Sequence, residues 1–134
     1  IRNPGVEEAY RALSGLDPEV RRLLDRDPGT EPFFAHALAL VEAQVAVYAA
    51  REFSSLDVQF GCTGGQHRSV YFAERLATTL RGYRPDIRVV VAHRERARWP
   101  GGSDAGARSP AVGSASDTSP PDAAPERSTA RPVR

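Results

Sequence analysis

The stretch SSLDVQFGCTGGQHRSVYFAERLATTLRGYRPDIRVVVAH, residues 54–93, decides the fold, because its hydrophobic period changes twice. Residues 56–60 and 87–91 alternate as strands do, and the segment between them has helical spacing. The apolar positions are Leu56, Val58 and Phe60, then Val70, Ala73, Ala77 and Leu80, then Ile87, Val89 and Val91. This order predicts a βαβ unit with parallel strands and a right-handed crossover. The predicted fold class is α/β, a small mixed or parallel sheet with flanking helices.

The flanking helices precede this unit. In residues 16–29, Asp17 is a suitable N-cap and Pro18 fits the first helical position. In residues 30–48, where Thr30 is a possible cap, apolar side chains recur in steps of four and three residues, which predicts an amphipathic helix packed on a core. These side chains are Phe34, Leu38, Val41, Val45 and Tyr48.

Residues 100–134 differ in composition from the rest. They hold six of the eleven prolines, and their only large apolar side chains are Val112 and Val133. Such a segment buries too little surface to offset the entropy of ordering it. We therefore expect one folded domain over residues 1–99 and a disordered Pro/Ser/Ala/Gly-rich tail over residues 100–134.

Composition excludes some classes of function. Lysine is absent, so the chain has no P-loop of the G-x-x-x-x-G-K-[ST] type. One cysteine and three scattered histidines show no metal-ligand spacing and allow no internal disulfide. No long apolar run predicts a membrane span, and we expect a cytoplasmic protein without a cofactor. The absence of methionine suggests a fragment of a longer protein.

Residues 68–98 carry eight Arg against three acids, a basic patch able to bind phosphates or RNA.

The loop GCTGGQHRS, residues 61–69, has the composition of a phosphate cradle. At the carboxyl end of a strand and the start of a helix, backbone N–H groups and the helix dipole favour an anion. Gly64 and Gly65 let the backbone curl round a ligand, and Arg68 offers a planar fork for phosphate oxygens. Thr63 and Ser69 add hydroxyl groups. A tight turn with glycines for close packing is the simpler alternative.

The same loop also matches C-x5-R-S, the signature loop of cysteine-dependent phosphatases. Cys62 would be the nucleophile, with its pKa lowered by the helix N-terminus and Arg68. An acid would then protonate the leaving group, as the Asp-Pro pairs at Asp17 and Asp27 suggest. Both pairs precede the loop, whereas the small phosphatases carry their acid downstream.

The longer motif FGCTGGQHRSVYFAERLA resembles the C-terminal domain of the RapZ (YvcJ-type) RNase adapter family, whose signature is G-C-T-G-G-[KQ]-H-R-S-V. NPG near the start, LSGLDPEV and HRE at 93–95 resemble further family segments, so the resemblance covers about residues 2–98. It implies an α/β domain that binds RNA and senses glucosamine-6-phosphate. It also implies homo-oligomers that present a small regulatory RNA to an RNase E-type nuclease.

The resemblance also implies ligand-binding residues. They are Thr63, Gly64, Gly65, His67, Arg68 and Arg26. Gly5 stands where the family has a histidine beside the sugar, and the family's nucleotide-binding domain with its ATPase and GTPase activities has no counterpart here. The basic C-terminal end that the family uses for RNA is reduced to Arg94, Arg96 and Arg98, which would share one face in an extended segment.

Further residues could line the pocket. His93 is expected at the same sheet edge as the loop, beside Cys62 and Ser69, although a histidine at the end of a strand is often only a surface group. The sequence thus favours a non-enzymatic metabolite sensor that binds RNA. A cysteine phosphatase and a sugar-phosphate module of a larger enzyme without an RNA role remain alternatives.

Overall fold

A computed structural model describes residues 1–100. Its α-helices are α1 (Glu8–Arg11), α2 (Pro18–Asp25), α3 (Thr30–Ala50) and α4 (Arg68–Tyr83), and 3₁₀ turns lie at Pro4–Val6 and Arg96–Arg98. The predicted tail begins at residue 100, so all of it except its first position lies outside the described residues. The division into a domain and a tail stays a prediction.

Helix α2 begins where its sequence predicts. Pro18 occupies the first turn, where a backbone N–H would lack an intrahelical partner in any case. The Asp17 carboxylate does not cap α2 but accepts hydrogen bonds from the Ser14 N–H at 2.7 Å and the Ser14 hydroxyl at 2.9 Å. The helix ends before Asp27, whose carboxylate accepts the N–H of Gly29 at 2.8 Å.

Three helices build the core, and α3 packs against both α2 and α4. The buried core side chains are Val20 and Leu24 of α2, Phe34 and Val41 of α3, and Tyr71, Phe72, Leu76 and Leu80 of α4. Leu38 and Val45 are partly buried against them, so four of the five residues of the apolar stripe predicted for α3 pack on the core, whereas Tyr48 packs edge-on against Phe53. The N-cap of α3 is Gly29, and Thr30 lies inside the helix, fully buried.

Polar contacts join the same three helices at one end. The Tyr71 hydroxyl donates to the Asp25 carboxylate at 2.5 Å, which ties α4 to α2. Arg75 pairs with Glu31 at 2.5 Å and lies over the Phe34 ring, 4.1 Å from its centroid. Burial, and then the hydrogen bond to Asp25, raise the pKa of Tyr71 to about 12. The α2–α3–α4 arrangement therefore rests on both apolar packing and hydrogen bonds.

The predicted sheet is wrong. Residues 54–62 and 86–93 flank α4 as expected, but among residues 1–100 neither segment forms a strand. Alternation correctly predicted an inward side chain in each segment, since Phe60 and Val89 pack against the core. A strand also needs a ladder of backbone hydrogen bonds to a neighbour, and the Val89 carbonyl instead accepts a hydrogen bond from the Arg81 guanidinium at 3.0 Å. The described domain is therefore helical, with neither a βαβ unit nor a sheet.

Helix α3 alone among the described helices is long and apolar enough to cross a membrane, by length and composition only. The expectation that the sequence has no such run was wrong by that criterion. Phe34 and Val41 on its inner face are buried in the core, and Glu31 and Glu42 bind side chains of α4. These contacts cover only one side of the helix, and 11% of its apolar window is buried.

Candidate functional site: the loop before α4

The loop that precedes α4 turns on itself at two adjacent glycines. Gly64 and Gly65 have φ values of +81° and +61°, in the left-handed region that favours glycine. The Gly65 N–H donates to the Cys62 carbonyl at 3.1 Å and closes the turn. A Cβ on Gly65 would lie 2.8 Å from Cγ of Glu95, whereas one on Gly64 would meet no atom within 4 Å. Glycine is thus required at position 65 by its positive φ and by the lack of room for a Cβ atom. At position 64 only the positive φ requires it.

The end of the loop is anchored to the segment between α1 and α2. The Gln66 side-chain amide donates to the Leu13 carbonyl at 2.5 Å, and the Gln66 carbonyl accepts the Gly15 N–H at 2.9 Å. The His67 ring lies buried, with Nε2 at 3.0 Å from the Tyr10 carbonyl. Since a carbonyl only accepts, Nε2 carries the proton. Gln66 and His67 of the signature therefore position the loop.

Two glycines far from the signature surround His67. A Cβ on Gly15 would lie 2.3 Å from the His67 carbonyl oxygen and 2.5 Å from the Tyr71 nitrogen, so only glycine fits there. A Cβ on Gly5 would lie 3.4 Å from Cε1 of His67, an ordinary contact. The position at which the family resemblance expects a histidine is thus adjacent to the signature. Sequence analysis missed Gly15, because its close neighbours lie more than fifty positions away.

The Cys62 thiol is surrounded by hydrogen-bond donors. Burial acts to raise its pKa, but the Ser69 hydroxyl, 3.2 Å from Sγ, and the N–H groups of Ser69, His67 and Gly65 outweigh it. The pKa of Cys62 is therefore lowered from its ordinary value. His67, the N-cap residue of α4, makes no side-chain capping hydrogen bond. The thiol thus occupies the electropositive end of the helix, where a thiolate or another anion is stabilised.

A cleft of about 770 Å³ opens on one side of this loop. We call it the signature cleft. The predicted site residues that line it are Cys62, Gly64, Gly65, Ser69, His93, Arg94 and Arg98. Gln59, Phe60, Glu95 and Trp99 also lie in its wall. The structure therefore brings the loop together with the 92–99 segment without a sheet edge to align them, and of that segment only His93 was expected beside the loop.

Other predicted residues lie outside this wall. Thr63, His67, Arg68 and Arg96 do not line the signature cleft, and Arg26 lines a separate cleft of about 430 Å³. We call the latter the arginine cleft, since Arg2 and Arg22 also line it, together with the acids Glu19 and Asp27. The Arg68 Nε atom is buried and has no hydrogen-bond partner among residues 1–100.

The far wall of the signature cleft holds a buried histidine. His93 Nε2 lies 2.7 Å from a carboxylate oxygen of Glu74, and only 8% of the His93 side chain is exposed. The His93 ring lies 5.6 Å from the ring of Trp99, centroid to centroid. Trp99 is 8% exposed, and its Nε1 has no hydrogen-bond partner in the described part of the chain. Since buried N–H groups are normally hydrogen-bonded, this donor is a candidate ligand contact.

Two carboxylates were not predicted from the sequence, Glu95 in the wall of this cleft and Glu74, which binds the His93 side chain. Glu95 packs on Gly65 and pairs with Arg98 at 2.7 Å, and Glu74 of α4 holds His93. The only sequence feature that included Glu95 was the HRE segment, residues 93–95, which resembles a family segment. Nothing in the sequence pairs Glu74 with His93, because that contact depends on how the 86–93 segment returns along α4.

The three arginines expected to share a face do not lie on an extended segment. Residues Arg96–Arg98 form a 3₁₀ turn, in which alternate side chains do not point the same way. All three are exposed, but Arg94 and Arg98 line the signature cleft and Arg96 does not. The prediction that these three arginines contact RNA phosphates stays a prediction.

The two aspartates considered as phosphatase acids are bound elsewhere. Asp17 accepts two hydrogen bonds from Ser14, and Asp27 accepts the N–H groups of Arg2 at 2.6 Å and Gly29. Those backbone hydrogen bonds lower the pKa of Asp27. Neither residue lines the signature cleft. A carboxylate with a lowered pKa is a poor proton donor near neutral pH. Within residues 1–100 there is also no cluster of three His, Cys, Asp or Glu side chains for a metal ion.

Comparisons with known proteins agree with the motif. The family sequence model of the RapZ C-terminal domain matches residues 1–97 of this chain. A nucleotide-binding protein of Magnetococcus marinus is 42% identical over 100 residues, which cover 73% of this chain and 31% of the relative. One of Thioalkalivibrio sulfidiphilus is 41% identical over 95 residues, 71% of this chain and 33% of the relative. This chain thus spans about a third of the length of these curated relatives, and it belongs to the RapZ C-terminal domain family.

Proposed function

We propose that this domain is a cytoplasmic regulatory module, without catalytic activity of its own, that binds an amino-sugar phosphate at the N-terminus of α4, beside the signature cleft. The observation that carries the proposal is the uncapped N-terminus of α4 beside a positive-φ glycine turn, with the unpartnered Arg68 Nε next to it in sequence. Such a helix terminus stabilises a bound phosphate, and one arginine guanidinium can donate two parallel hydrogen bonds to phosphate oxygens.

One carboxylate in the wall of the cleft supports an amine on the same ligand. Glu95 lines the cleft against Gly65, where it pairs with Arg98. A ligand that carries an ammonium group as well as a phosphate would place the ammonium group at Glu95. Glucosamine-6-phosphate has that form, and Trp99 Nε1 could donate to one of its hydroxyl groups.

Calorimetry with the full chain tests this binding. Titration with glucosamine-6-phosphate should give micromolar binding, and Arg68→Ala should weaken it at least tenfold, because a charge-assisted hydrogen bond contributes about 1.5–3 kcal/mol. Arg88→Ala is the matched control, because it removes the same charge and Arg88 is exposed and follows the C-terminus of α4, not its N-terminus. Glucose-6-phosphate and inorganic phosphate should bind more weakly, because neither carries the amine. Absence of binding by a folded wild-type chain would refute the proposal.

RNA is the proposed macromolecular partner, and the family resemblance adds an RNase E-type nuclease and a homo-oligomeric state. The supporting observation is that Arg94, Arg96 and Arg98 are all exposed, and that Arg94 and Arg98 line the signature cleft. Filter binding with a structured RNA distinguishes this role from that of a sugar-phosphate module of a larger enzyme. Binding whose affinity does not change with salt concentration would argue against phosphate contacts.

One observation favours a second candidate, a cysteine-dependent phosphatase. The pKa of Cys62 is lowered by the donors around it, as a nucleophilic thiolate requires. Hydrolysis of p-nitrophenyl phosphate by the wild-type chain, lost in Cys62→Ser, would establish it. We expect no turnover, and we expect Cys62→Ser to retain sugar-phosphate binding.

A further inference from the structure

The signature cleft gives small molecules access to the one cysteine of the chain. Cys62 is partly buried in the wall of this cleft, whose volume of about 770 Å³ is typical of a pocket for a small organic molecule. The proposed phosphate site uses the N-terminus of α4 and the Arg68 guanidinium, and it gives the thiol no chemistry. The Cys62 sulfur is therefore a nucleophile that sugar-phosphate binding does not use.

The surroundings of the thiol favour its ionised form. Burial acts to raise the pKa of Cys62, but the Ser69 hydroxyl, 3.2 Å from Sγ, and three backbone N–H groups outweigh it, so the pKa is lowered. Disulfide exchange requires the thiolate, because the thiolate and not the thiol is the nucleophile. The loop thus holds a thiolate that a dissolved disulfide can reach through the cleft.

A feature independent of the cysteine indicates that this cleft takes a ligand. Trp99 lines the cleft and is only 8% exposed, and its Nε1 atom has no hydrogen-bond partner within residues 1–100. Buried N–H groups are normally hydrogen-bonded, so a ligand oxygen is expected to complete this one. A carboxylate or a peptide carbonyl supplies such an oxygen.

The charges in the cleft wall favour an acidic ligand. The charged side chains of the wall are Arg94, Glu95 and Arg98, and Glu95 is already paired with Arg98 at 2.7 Å. Arg94 is exposed and has no ion pair in the described part of the chain. The excess positive charge and the positive end of the α4 dipole both attract an anion to the thiol.

We propose that Cys62 is a site of thiol–disulfide exchange, at which an acidic low-molecular-weight thiol becomes attached inside the signature cleft. The Cys62 thiolate attacks one sulfur of the symmetrical disulfide of that thiol. A new S–S bond to Cys62 forms as the original S–S bond breaks, and the expelled thiolate takes a proton from water. Cys62 is oxidised and the departing half is reduced, so no other oxidant is needed. These 134 residues hold no second cysteine, so an external thiol must reverse the reaction.

Mass spectrometry of the full chain incubated with oxidised glutathione, an acidic disulfide, tests the site. A gain of one glutathionyl group must lie on Cys62, since the chain has no other thiol. The rate with glutathione, relative to that with the cationic disulfide cystamine, should be about tenfold higher in the folded chain than in the same chain unfolded by urea. Arg94→Ala should lower the glutathione rate about threefold without lowering the cystamine rate. Arg88→Ala is the matched control, because it removes an exposed charge outside the cleft and should change neither rate.

Two results would overturn the exchange site. They are a folded chain that does not react or shows no more preference for glutathione than the unfolded chain, and an Arg94→Ala chain that reacts as the wild type does. Trp99→Phe tests the indole contact, because it removes the N–H and keeps an aromatic ring beside His93. The equilibrium constant for exchange should fall about fivefold with glutathione and stay unchanged with cystamine, which carries no oxygen acceptor. An equal fall with both disulfides would refute the contact.

The same modification should regulate the proposed sugar-phosphate site, and this consequence rests on the proposed function. The attached group adds negative charge and bulk beside the N-terminus of α4. The glutathionylated chain should therefore bind glucosamine-6-phosphate about tenfold more weakly in calorimetry, and dithiothreitol should restore binding. Equal binding by the modified and reduced chains would refute the regulation. Failure of the reduced chain to bind would refute the proposed function alone, because the exchange reaction needs no sugar phosphate.

Discussion

Substitution of Gly15 by alanine gives the sharpest test of how the signature loop is held. The new Cβ would lie 2.3 Å from the His67 carbonyl oxygen, 2.5 Å from the Tyr71 nitrogen and 2.9 Å from Cβ of Val70. The first two are backbone atoms at the start of α4, so no side-chain rotation relieves the overlap. Either α4 or the 13–17 segment must move by close to 1 Å.

The size of the effect follows from these contacts. Overpacking of this kind costs about 1–3 kcal/mol. The displaced Gly15 N–H bond to the Gln66 carbonyl is worth about 1 kcal/mol more. Alanine in place of glycine also stabilises the folded state by about 0.4–1 kcal/mol, because alanine lowers the conformational entropy of the unfolded chain. We expect a net loss near 2 kcal/mol, or a fall in Tm of roughly 8–16 °C for a domain of this size.

Thermal and urea unfolding measure this difference, with Gly82→Ala as the matched control. Gly82 lies in the last turn of α4 with no atom within 4 Å of its would-be Cβ, so alanine there should stabilise the chain by up to about 1 kcal/mol. A Gly15→Ala variant as stable as Gly82→Ala would refute the close approach of the 13–17 segment to α4.

Three further predictions concern titration and RNA. The pKa of Tyr71 is raised to about 12 in the folded chain, against about 10 in the unfolded chain, so the free energy of unfolding should fall as pH rises from about 10 to about 12. Urea unfolding across that range should show a smaller fall in Tyr71→Phe. Alkylation of Cys62 by iodoacetamide should have a pH midpoint below that of a free thiol, and Ser69→Ala should raise it; an unchanged midpoint would contradict the role of that hydroxyl. Replacing the three arginines of residues 94–98 by alanine should weaken RNA binding about equally across sequences and reduce the salt slope by up to about three, measured by filter binding.

Local features were predictable from sequence, and the pairing of distant segments was not. The bounds of α2 follow from Pro18 and Asp27, and the inward face of α3 follows from its spacing, because both depend on neighbours within one or two turns. Alternation in residues 56–60 and 87–91 reported which side chains point inward. It carries no information about whether a backbone finds a hydrogen-bonded neighbour, and so the sheet was wrongly predicted.

The same limit applies to the candidate site. The glycines of the signature predicted a backbone that can curl, and Gly64 and Gly65 have positive φ values that glycine tolerates. His93 was placed at the pocket for a reason that proved wrong, a common sheet edge, although it does line the signature cleft. Glu74 and Gly15 were missed because each acts through a partner distant in sequence. Arg26 was assigned by resemblance alone, and it lines the arginine cleft instead.

The position of the arginines connects the two proposed ligands. Arg94 and Arg98 line the signature cleft and are also two of the three exposed cations proposed to contact RNA. A sugar phosphate that draws either guanidinium into the cleft removes it from an RNA phosphate, and the Glu95–Arg98 pair holds one of them beside Gly65 already. Binding free energies are reciprocal, so RNA must weaken sugar-phosphate binding by the same factor. If the sugar phosphate recruits these two side chains in addition to Arg68, competition with RNA would need no large conformational change.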